Sequence, residues 1–365
     1  MSQQSKPTKI EDVAQKANVS IMSVSRAIRG VEGVSEKKRA EILKIARQMK
    51  YMPNSAARSL AVANSNLIGI SLPTFAADVF AEILNGMRQT FDTAGYSSVI
   101  DTTEYDSTAE LNWIRRLLSW QPAAIILTGT DHHPETRELL KASPIPVLEI
   151  WDHTDDPIDI CVGIDHFEAG RLIGEHAIEM GYQRPAFVST PRGHDKRADA
   201  RLAGIRHVFS QQRSTPVLAS RPLLGNAFVT GFEGTKTLLA EHAPDIICYL
   251  NDHMAFGGLM CCQAQGLSVP EDIGVVGFNG LDLGSVLPIK LTTVRTLRRL
   301  MGITGARNLL ARINGVPTEQ SIVLPLELQP GQTTRPQTDD DRLKDQAGGQ
   351  TLSVHRWADA GLQNL

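Results

Sequence analysis

The stretch from residue 10 to residue 28 constrains the fold more than any other part of the chain. Its first half has apolar residues at the i, i+3, i+4, i+7 spacing of an amphipathic helix, namely Ile10, Val13, Ala14 and Ala17. Asn18 interrupts this pattern, and its short side chain tolerates the left-handed backbone of a tight corner. The sequence therefore predicts that the first helix ends at a corner and that a second helix follows at once.

The second helix of this stretch presents a polar outer face. Ser20 is placed to cap it, and Val24 and Ile28 lie four residues apart on its inner face. The opposite face carries Met22, Ser23, Ser25 and Arg26. Two short helices with such a face are typical of a helix-turn-helix that enters the DNA major groove. A helical hairpin with a solvated face is the alternative that the pattern alone leaves open.

Charge is distributed unevenly along the chain. Residues 1–61 contain twelve Lys and Arg against five Asp and Glu, a net charge of +7. Because the whole chain of 365 residues carries −3, the remainder carries −10. A basic head on an acidic body is expected when only the head meets phosphate.

The same residues resemble a known family. The strings T-K-I-E-D-V-A-Q-K-A-N-V-S-I-M-S-V-S-R-A-I-R-G and Y-M-P-N-S-A-A-R-S-L-A closely resemble the headpiece of LacI/GalR-type bacterial repressors. The resemblance continues nearly to residue 335, about nine-tenths of the chain. It implies a ligand-responsive DNA-binding regulator, a repressor that binds double-stranded operator DNA as a homodimer.

The resemblance also implies roles for headpiece residues. Three serines would contact phosphates and three further residues would meet base edges, with Arg26 the best guanine reader. These are Ser20, Ser23 and Ser25, then Ile21, Met22 and Arg26. Ile21 and Met22 depart from the polar pairs common in the family and can supply apolar contacts, such as those to thymine methyl groups. A hinge helix would follow, contributing Asn54, Ala57 and Leu60, with Leu60 wedged into the minor groove. An ordinary packing role for Leu60 is the alternative.

Composition excludes several classes of protein. The chain is 42% hydrophobic, yet no apolar run approaches the roughly 20 residues that span a membrane. The N-terminus lacks the apolar segment of a secretory signal, so we expect a cytoplasmic, nucleoid-associated protein without membrane contact. The four cysteines have no scaffold spacing and are expected to be buried free thiols.

From residue 67 the chain alternates apolar strands with helices, which predicts parallel sheets covered on both sides. A final strand is predicted over S-I-V-L-P-L-E-L. The pattern occurs twice, with about five strands each time, so we expect a two-lobed α/β body. The resemblance implies a periplasmic-binding-protein-like body behind an all-α headpiece. The predicted domains are a DNA-binding domain (1–50), a hinge and linker (51–66), an effector-binding and dimerisation domain (67–336) and a disordered tail (337–365).

Ligands of such sheets bind beyond the carboxyl ends of the strands, so residues there are the candidates for an effector site. They are Phe75, Asp78, Phe80, His166, Glu168, Asn251, Asn279, Thr296 and Arg298, together with Arg201 from a helix. By resemblance, Arg201 grips ligand oxygens, and Asn251 and Asn279 make polar ligand contacts. Asp252 is expected to cap its helix instead.

Two arginines facing one cleft favour an anionic ligand, since a guanidinium matches a carboxylate in two-point geometry. Strings such as D-V-F-A-E-I-L-N-G and L-N-D-H-M-A-F-G resemble gluconate-utilisation repressors, which implies a sugar acid such as gluconate as effector. The alternative is that Arg201 or Arg298 pairs with a structural carboxylate. Within the family, a corepressor that tightens DNA binding is the second possibility.

Motifs for catalysis are missing from the sequence. There is no G-x-S-x-G elbow, no G-x-x-x-x-G-K-[ST] loop, and no H-x-x-x-H or C-x-x-C pair. The pieces Asp131-His132-His133 and Asp152-His153 are interpreted as surface loops. We therefore predict no catalytic residues, no metal and no cofactor. The rival to a regulator is a cytoplasmic solute-binding or sugar-processing protein with an incidental helical head.

Overall fold

The computed structural model describes residues 8–51, 65–75, 77–190, 195–212, 218–220 and 226–336. Their contacts form two compact units, the first containing the N-terminal helices and the second containing two β-sheets. Most of the predicted hinge, with Asn54, Ala57 and Leu60, and the whole predicted tail lie outside the described residues.

The N-terminal unit is built on three helices, α1 (Ile10–Ala17), α2 (Ile21–Arg29) and α3 (Glu36–Gln48). As predicted, Asn18 has a left-handed backbone with φ of 51°, and the Ser20 hydroxyl accepts the Ser23 N–H at the start of α2. The core is formed by apolar residues of all three helices, and it includes the predicted Val13, Ala14, Ala17 and Val24 together with Ala27, Ile42 and Ala46; the predicted Ile10 and Ile28 pack against it and are partly buried. Local capping and a small shared core thus hold the two helices at their corner.

Each lobe of the second unit contains a six-stranded sheet. The first has the strand order β11-β5-β4-β3-β1-β2 and the second β12-β10-β9-β8-β6-β7. In chain order the strands are β1 (Leu67–Leu72), β2 (Ser97–Thr102), β3 (Ala124–Thr128), β4 (Val147–Asp152), β5 (Ile160–Ile164), β6 (Pro185–Val188), β7 (Leu218–Ser220), β8 (Ile246–Tyr249), β9 (Gly274–Asn279), β10 (Thr292–Thr296), β11 (Ser321–Val323) and β12 (Leu326–Gln329).

Helices cover these sheets. Those of lobe 1 are α4 (Asp78–Thr93), α5 (Ser107–Ser119), α6 (Pro134–Lys141) and α12 (Arg298–Ile313), and those of lobe 2 are α7 (His166–Glu179), α8 (Lys196–Ser210), α9 (Ala227–Glu241), α10 (Asp252–Ala264) and α11 (Leu283–Val286). The central strands of both sheets are almost entirely buried, which explains why they read as continuous apolar runs. The predicted architecture of headpiece and two-lobed α/β body is therefore confirmed.

The end of the body differs from the prediction of one final strand. Val323 ends a strand in the first sheet, and Leu326 begins a strand in the second. Pro325 lies between them; it has no N–H to continue a ladder, so the chain leaves one sheet and enters the other. The second of these strands pairs antiparallel with β10, so the sheets are not wholly parallel. The chain thus passes between lobes after β5, after β10 and at Pro325.

Three helix pairs in the body cross with glycines at the contact. A Cβ placed on either glycine of a pair would overlap a backbone carbonyl oxygen of the facing helix. The pairs are Gly86 with Gly302 (α4 and α12), Gly170 with Gly204 (α7 and α8), and Gly231 with Gly257 (α9 and α10). Only a residue without a side chain allows backbones to approach this closely.

Lobe 1 buries a charged cluster that the sequence did not reveal. His132 was expected on a surface loop, but its side chain is buried, with Nδ1 2.8 Å from Glu110 and Nε2 3.3 Å from Glu149. The Glu149 carboxylate also accepts the Ile158 N–H at 2.5 Å and lies 3.5 Å from Arg137. The interpretation as a surface loop was wrong because two carboxylates from distant elements make burial of this imidazole favourable.

This cluster makes stability depend on pH. Burial acts to lower the pKa of His132, but the two carboxylates outweigh it and raise the pKa to about 9. The stabilisation is therefore fully present below the unfolded pKa of about 6.5 and is lost as pH rises through about 9, an effect of about 3 kcal/mol at most. Urea unfolding between pH 6 and pH 10 should show this decline, and His132→Gln should flatten it. An equal decline in the variant would remove His132 as its source.

No helix among the described residues has both the length and the apolar content to cross a bilayer.

Candidate functional site

A cavity of about 760 Å³ lies where the strands of both lobes end. Lobe 1 contributes Trp151 at the end of β4, and lobe 2 contributes Leu250 after β8 and Asn279 at the end of β9. This is the position predicted for ligands of open parallel sheets. The volume matches that of a small-molecule site.

Aromatic side chains form much of the cavity wall. Phe80 and Trp151 of lobe 1 meet edge to face, with ring centroids 6.1 Å apart. Lobe 2 supplies Phe278, and Phe228 lies further round the wall. Flat apolar surfaces of this kind suit the C–H faces of a small organic molecule, while polar groups between them would orient it.

Arg201 is the buried cation of the cavity. Only 4% of the residue is exposed, and its guanidinium lies 4.2 Å above the ring of Phe278. Nη1 donates to Nδ1 of His166 at 2.6 Å and Nη2 to the carbonyl oxygen of Leu250 at 3.4 Å. Nε donates to no atom of the described residues. Burial lowers the pKa of Arg201 to about 10, so the group stays charged at neutral pH with part of its hydrogen-bonding capacity unused.

A chain of hydrogen bonds continues from Arg201. Because arginine only donates, Nδ1 of His166 must accept, and its Nε2–H then donates to Asp152 at 3.0 Å. Asp152 also accepts from Nε of Arg197 at 2.6 Å. Burial lowers the pKa of His166, which keeps this imidazole neutral.

The network carries one positive charge in excess. Burial alone would raise the pKa of Asp152, but Arg197 and His166 hold it well below its ordinary value, so the carboxylate is ionised. Two guanidinium groups therefore share one carboxylate: Arg197 contacts Asp152 directly, and Arg201 is linked to it through the neutral His166. The other acidic residues that line the cavity are Asp195, which caps α8 and whose charge raises the pKa of Arg201 without forming an ion pair with it, Asp78, which pairs with His253 at 3.3 Å, and the exposed Glu104. Arg201 is therefore the guanidinium of the network that makes no ion pair with a carboxylate.

The two predicted asparagines both line the cavity. Asn251 is the residue that caps α10, since its Oδ1 accepts the Met254 N–H at 2.9 Å. The prediction that Asp252 is the cap was wrong; that buried carboxylate instead accepts from the Leu281 N–H and the Thr293 hydroxyl. Asn279 has φ of 116°, a costly conformation for a residue with a side chain, and its buried Oδ1 has no hydrogen-bond partner among the described residues.

Other predicted residues are divided between the cavity and its surroundings. Asp78 and Phe80 line it, together with Arg201. His166 lies behind Arg201 and holds it. Like His166, four further residues do not line the cavity: Phe75, Glu168, Thr296 and Arg298.

Those four residues have other surroundings. Phe75 is 68% exposed, and Glu168 pairs with Arg171 at 2.7 Å. Arg298 is buried and donates to the carbonyl oxygen of Asn279 and to Glu82. Thr296 donates to the same carbonyl at 3.3 Å. Arg298 thus follows the alternative of pairing with a structural carboxylate, and with Thr296 it holds the strained Asn279 from behind.

Sequence reasoning missed several residues of this site. Arg197 was within reach, because it lies four residues before Arg201 and so on the same helix face. Trp151 and Asp152 directly follow the apolar run P-V-L-E-I, which was a usable signal. No local pattern pointed to Tyr105, which borders the cavity from the loop after β2.

The candidate DNA-contacting face lies on α2. Ile21 and Met22 are 48% and 57% exposed at its start, although both are apolar. Arg26 is exposed as well, and Gly33 leaves room for its side chain, since a Cβ there would lie 2.8 Å from its Nη1. The Ser20 and Ser23 hydroxyls are 2.9 Å apart, and Ser25 is partly buried on the same helix.

Within the described ranges, no group of three or more His, Cys, Asp or Glu residues is arranged to hold a metal ion. The four cysteines are free and buried, as expected.

Comparison with known proteins matches both parts of the chain. Residues 9–54 match the model for bacterial regulatory proteins of the lacI family, and residues 65–328 match that for periplasmic binding proteins and the sugar-binding domain of the LacI family. The HTH-type transcriptional regulator GntR of Escherichia coli K12 is 33% identical over 326 residues, 88% of this chain and 97% of that protein. GntR of Pseudomonas aeruginosa is 31% identical over 324 residues, 87% of this chain and 92% of that protein.

Solved structures agree with the sequence relatives. A LacI-family transcriptional regulator from Silicibacter pomeroyi is 32% identical, with a TM-score of 0.85 over 90% of this chain and 100% of that one. The lac repressor dimer bound to operator and the anti-inducer ONPF is 27% identical, with a TM-score of 0.79 over 91% of this chain and 100% of that one. The chain therefore belongs to the LacI family of bacterial regulatory proteins and is a DNA-binding transcriptional regulator.

Proposed function

We propose that this regulator represses transcription as a homodimer on a pseudo-palindromic operator and is released by a sugar acid such as gluconate. The observation that carries the effector class is the buried guanidinium of Arg201, which makes no ion pair with a carboxylate and faces a cavity with aromatic walls. A buried guanidinium with an unused N–H is matched by a carboxylate, which accepts two parallel hydrogen bonds. Aromatic rings and asparagine side chains would contact the hydroxylated carbon chain.

The positive charge of Arg201 argues against two related classes of ligand, neutral sugars and sugar phosphates. A neutral sugar would leave the buried charge uncompensated, which costs affinity. A sugar phosphate brings nearly two negative charges to a site with one unpaired guanidinium. The site therefore favours a monoanion.

A ligand panel tests this effector class. In thermal-shift assays we expect gluconate and related aldonates to raise the unfolding temperature, because a ligand that binds only the folded state stabilises it. Glucose and glucose 6-phosphate serve as the neutral and doubly charged controls and should have little effect at equal concentration. Stabilisation by glucose equal to that by gluconate would refute the acid specificity.

For operator recognition we propose the roles implied by the headpiece. Ser20, Ser23 and Ser25 contact phosphates, while Ile21, Met22 and Arg26 meet base edges. The exposure of the two apolar residues on α2 supports an apolar contact such as that to thymine methyl groups. Asn54, Ala57 and Leu60 would act in the hinge, with Leu60 in the minor groove.

Arg26→Ala tests the base-reading role. We expect discrimination between the selected operator and a scrambled duplex to fall by about 5- to 150-fold, since one bidentate contact to guanine is worth about 1–3 kcal/mol. The measurement is fluorescence anisotropy at fixed salt with an operator selected from random duplexes. Arg26→Lys is the matched control, because lysine keeps the positive charge but lacks the planar guanidinium that donates two parallel hydrogen bonds. Undiminished discrimination in Arg26→Ala would exclude this residue as a base reader.

The sign of the effector response has a direct test. Gluconate titrated into the operator complex should release DNA if the molecule is an induced repressor. Tighter binding would instead assign the corepressor role. Sedimentation of the free protein and of its operator complex checks the dimer.

A further inference from the structure

We propose that Arg197 couples effector binding to closure of the two lobes, by reaching from lobe 2 into a polar socket of lobe 1 and sharing Asp152 with the His166–Arg201 pair. This inference rests on the proposed effector site for its coupling to ligand, but the closure itself is a property of the protein alone.

The socket is a second cavity, of about 230 Å³, formed mainly by lobe 1. Polar groups from the loops that follow β2 and β3 line it, among them Thr103, Asp106 and Asp131, and Asp152 completes it from the end of β4. Residues 195–197 at the start of α8 form its lobe 2 wall. Arg197 and Tyr105 line both this cavity and the effector cavity, so the arginine stands at the boundary between them.

The guanidinium fits the socket closely. Nε of Arg197 donates to Asp152 at 2.6 Å, and both side chains are only 15% exposed. Gly129 provides the space: a Cβ there would lie 2.6 Å from Nη2 of Arg197 and 3.0 Å from the Asp152 carboxylate. This glycine also has φ of 93°, a conformation that disfavours any other residue. Lobe 1 therefore has a site shaped for a side chain of lobe 2.

The neighbouring residue provides an internal contrast. Lys196 also reaches lobe 1 and pairs with Asp131 at 2.6 Å, but these side chains are 74% and 66% exposed. Water screens such a pair, so it contributes little. The Arg197–Asp152 pair is shielded, and breaking it by removing one partner leaves a charge poorly solvated. Of these two pairs between the lobes, the shielded one controls closure.

Asp152 links closure to the ligand. The same carboxylate oxygen accepts from Arg197 of lobe 2 and from His166, which in turn accepts from Arg201 in the effector cavity. Opening the lobes withdraws Arg197 from Asp152, so the negative charge of Asp152 is no longer compensated. The hydrogen bond from His166 to Asp152, which orients His166 and through it Arg201, is then disturbed. Arg197 is thus a positioning residue: it acts on Arg201 through Asp152 and His166. A ligand on Arg201 favours the arrangement in which the socket is filled.

Arg197→Met tests the proposal, with Lys196→Ala as the matched control. Spin labels at Glu138→Cys in lobe 1 and Gln263→Cys in lobe 2 report the distance between the lobes by pulsed electron resonance, with labelled chains diluted in unlabelled protein. Both positions are exposed, and the native cysteines are buried. Without ligand we expect a longer main distance in Arg197→Met and an unchanged one in Lys196→Ala. An unchanged distance in Arg197→Met overturns the proposal, whatever ligand the protein takes.

Calorimetry with gluconate tests the coupling. We expect the Kd to rise at least tenfold in Arg197→Met and less than twofold in Lys196→Ala, because the closed form that encloses ligand becomes a minor state. Operator affinity without gluconate should not fall in either variant. A tenfold loss of operator affinity in Arg197→Met would indicate general damage and refute a positioning role. If the wild-type protein does not bind gluconate, the proposed effector is wrong. The distance measurement still tests whether Arg197 in the socket holds the lobes closed.

Discussion

Gly204→Ala is expected to destabilise the protein by at least about 3 kcal/mol, although alanine is normally the better helix former by about 1 kcal/mol. Gly204 lies within α8, where that helix crosses α7. A Cβ at this position would overlap the carbonyl oxygen of Phe167 and lie 2.7 Å from the backbone nitrogen of Arg171. Backbone atoms cannot rotate away as a side chain can, so the two helices must separate.

Separation of these helices also disturbs the effector site. Arg201 lies one turn before Gly204 on α8, and His166 lies one turn before Gly170 on α7. The crossing at the two glycines thus sets the 2.6 Å contact between Arg201 and His166. We expect any folded fraction of Gly204→Ala to bind gluconate more weakly as well.

Urea unfolding followed by circular dichroism measures the loss for Gly204→Ala. Gly284→Ala is the matched control, because a Cβ there meets nothing closer than 3.4 Å and the change should be within about 0.5 kcal/mol of neutral. Equal stability of Gly204→Ala and wild type would show that the helices do not depend on this close approach.

Arg201→Met should lower the affinity for gluconate at least 100-fold. The substitution keeps an unbranched side chain over Phe278 but removes the guanidinium of the network that makes no ion pair with a carboxylate. Loss of a buried, hydrogen-bonded charge pair typically costs about 3–5 kcal/mol, which corresponds to a factor of 100 or more.

The variant should also lose its preference for acids. With Arg201 removed, the Arg197 and Asp152 charges balance, so glucose and gluconate should bind with similar weak affinity. For the same reason the apo protein should be no less stable than wild type. Isothermal titration calorimetry with both ligands tests this, and Arg206→Met, on the exposed side of the same helix, is the control. Wild-type affinity for gluconate in Arg201→Met would place the acid elsewhere.

The residues that local pattern predicted well are those whose structure depends on near neighbours. The corner at Asn18, the cap at Ser20 and the apolar faces of the first two headpiece helices follow from spacing within about 20 residues. The alternation of buried strands and helices could be predicted from the sequence for the same reason. The sequence pattern predicted one strand across Pro325, but the structure has two strands there, and they belong to different sheets.

The sequence by itself determined the family, the basic headpiece, the two-lobed body and the presence of Arg201 at a strand-end cleft. Only the tertiary structure decided which charges compensate one another. Asp152 and Arg197 are 45 positions apart, and Arg298 and Glu82 are 216 apart. Helical or strand periodicity reports which face a residue occupies, but the energy of a buried charge depends on partners that the fold brings from elsewhere. For that reason Arg201, which makes no ion pair, and Arg298, which pairs with Glu82, could be told apart only once the lobes were assembled.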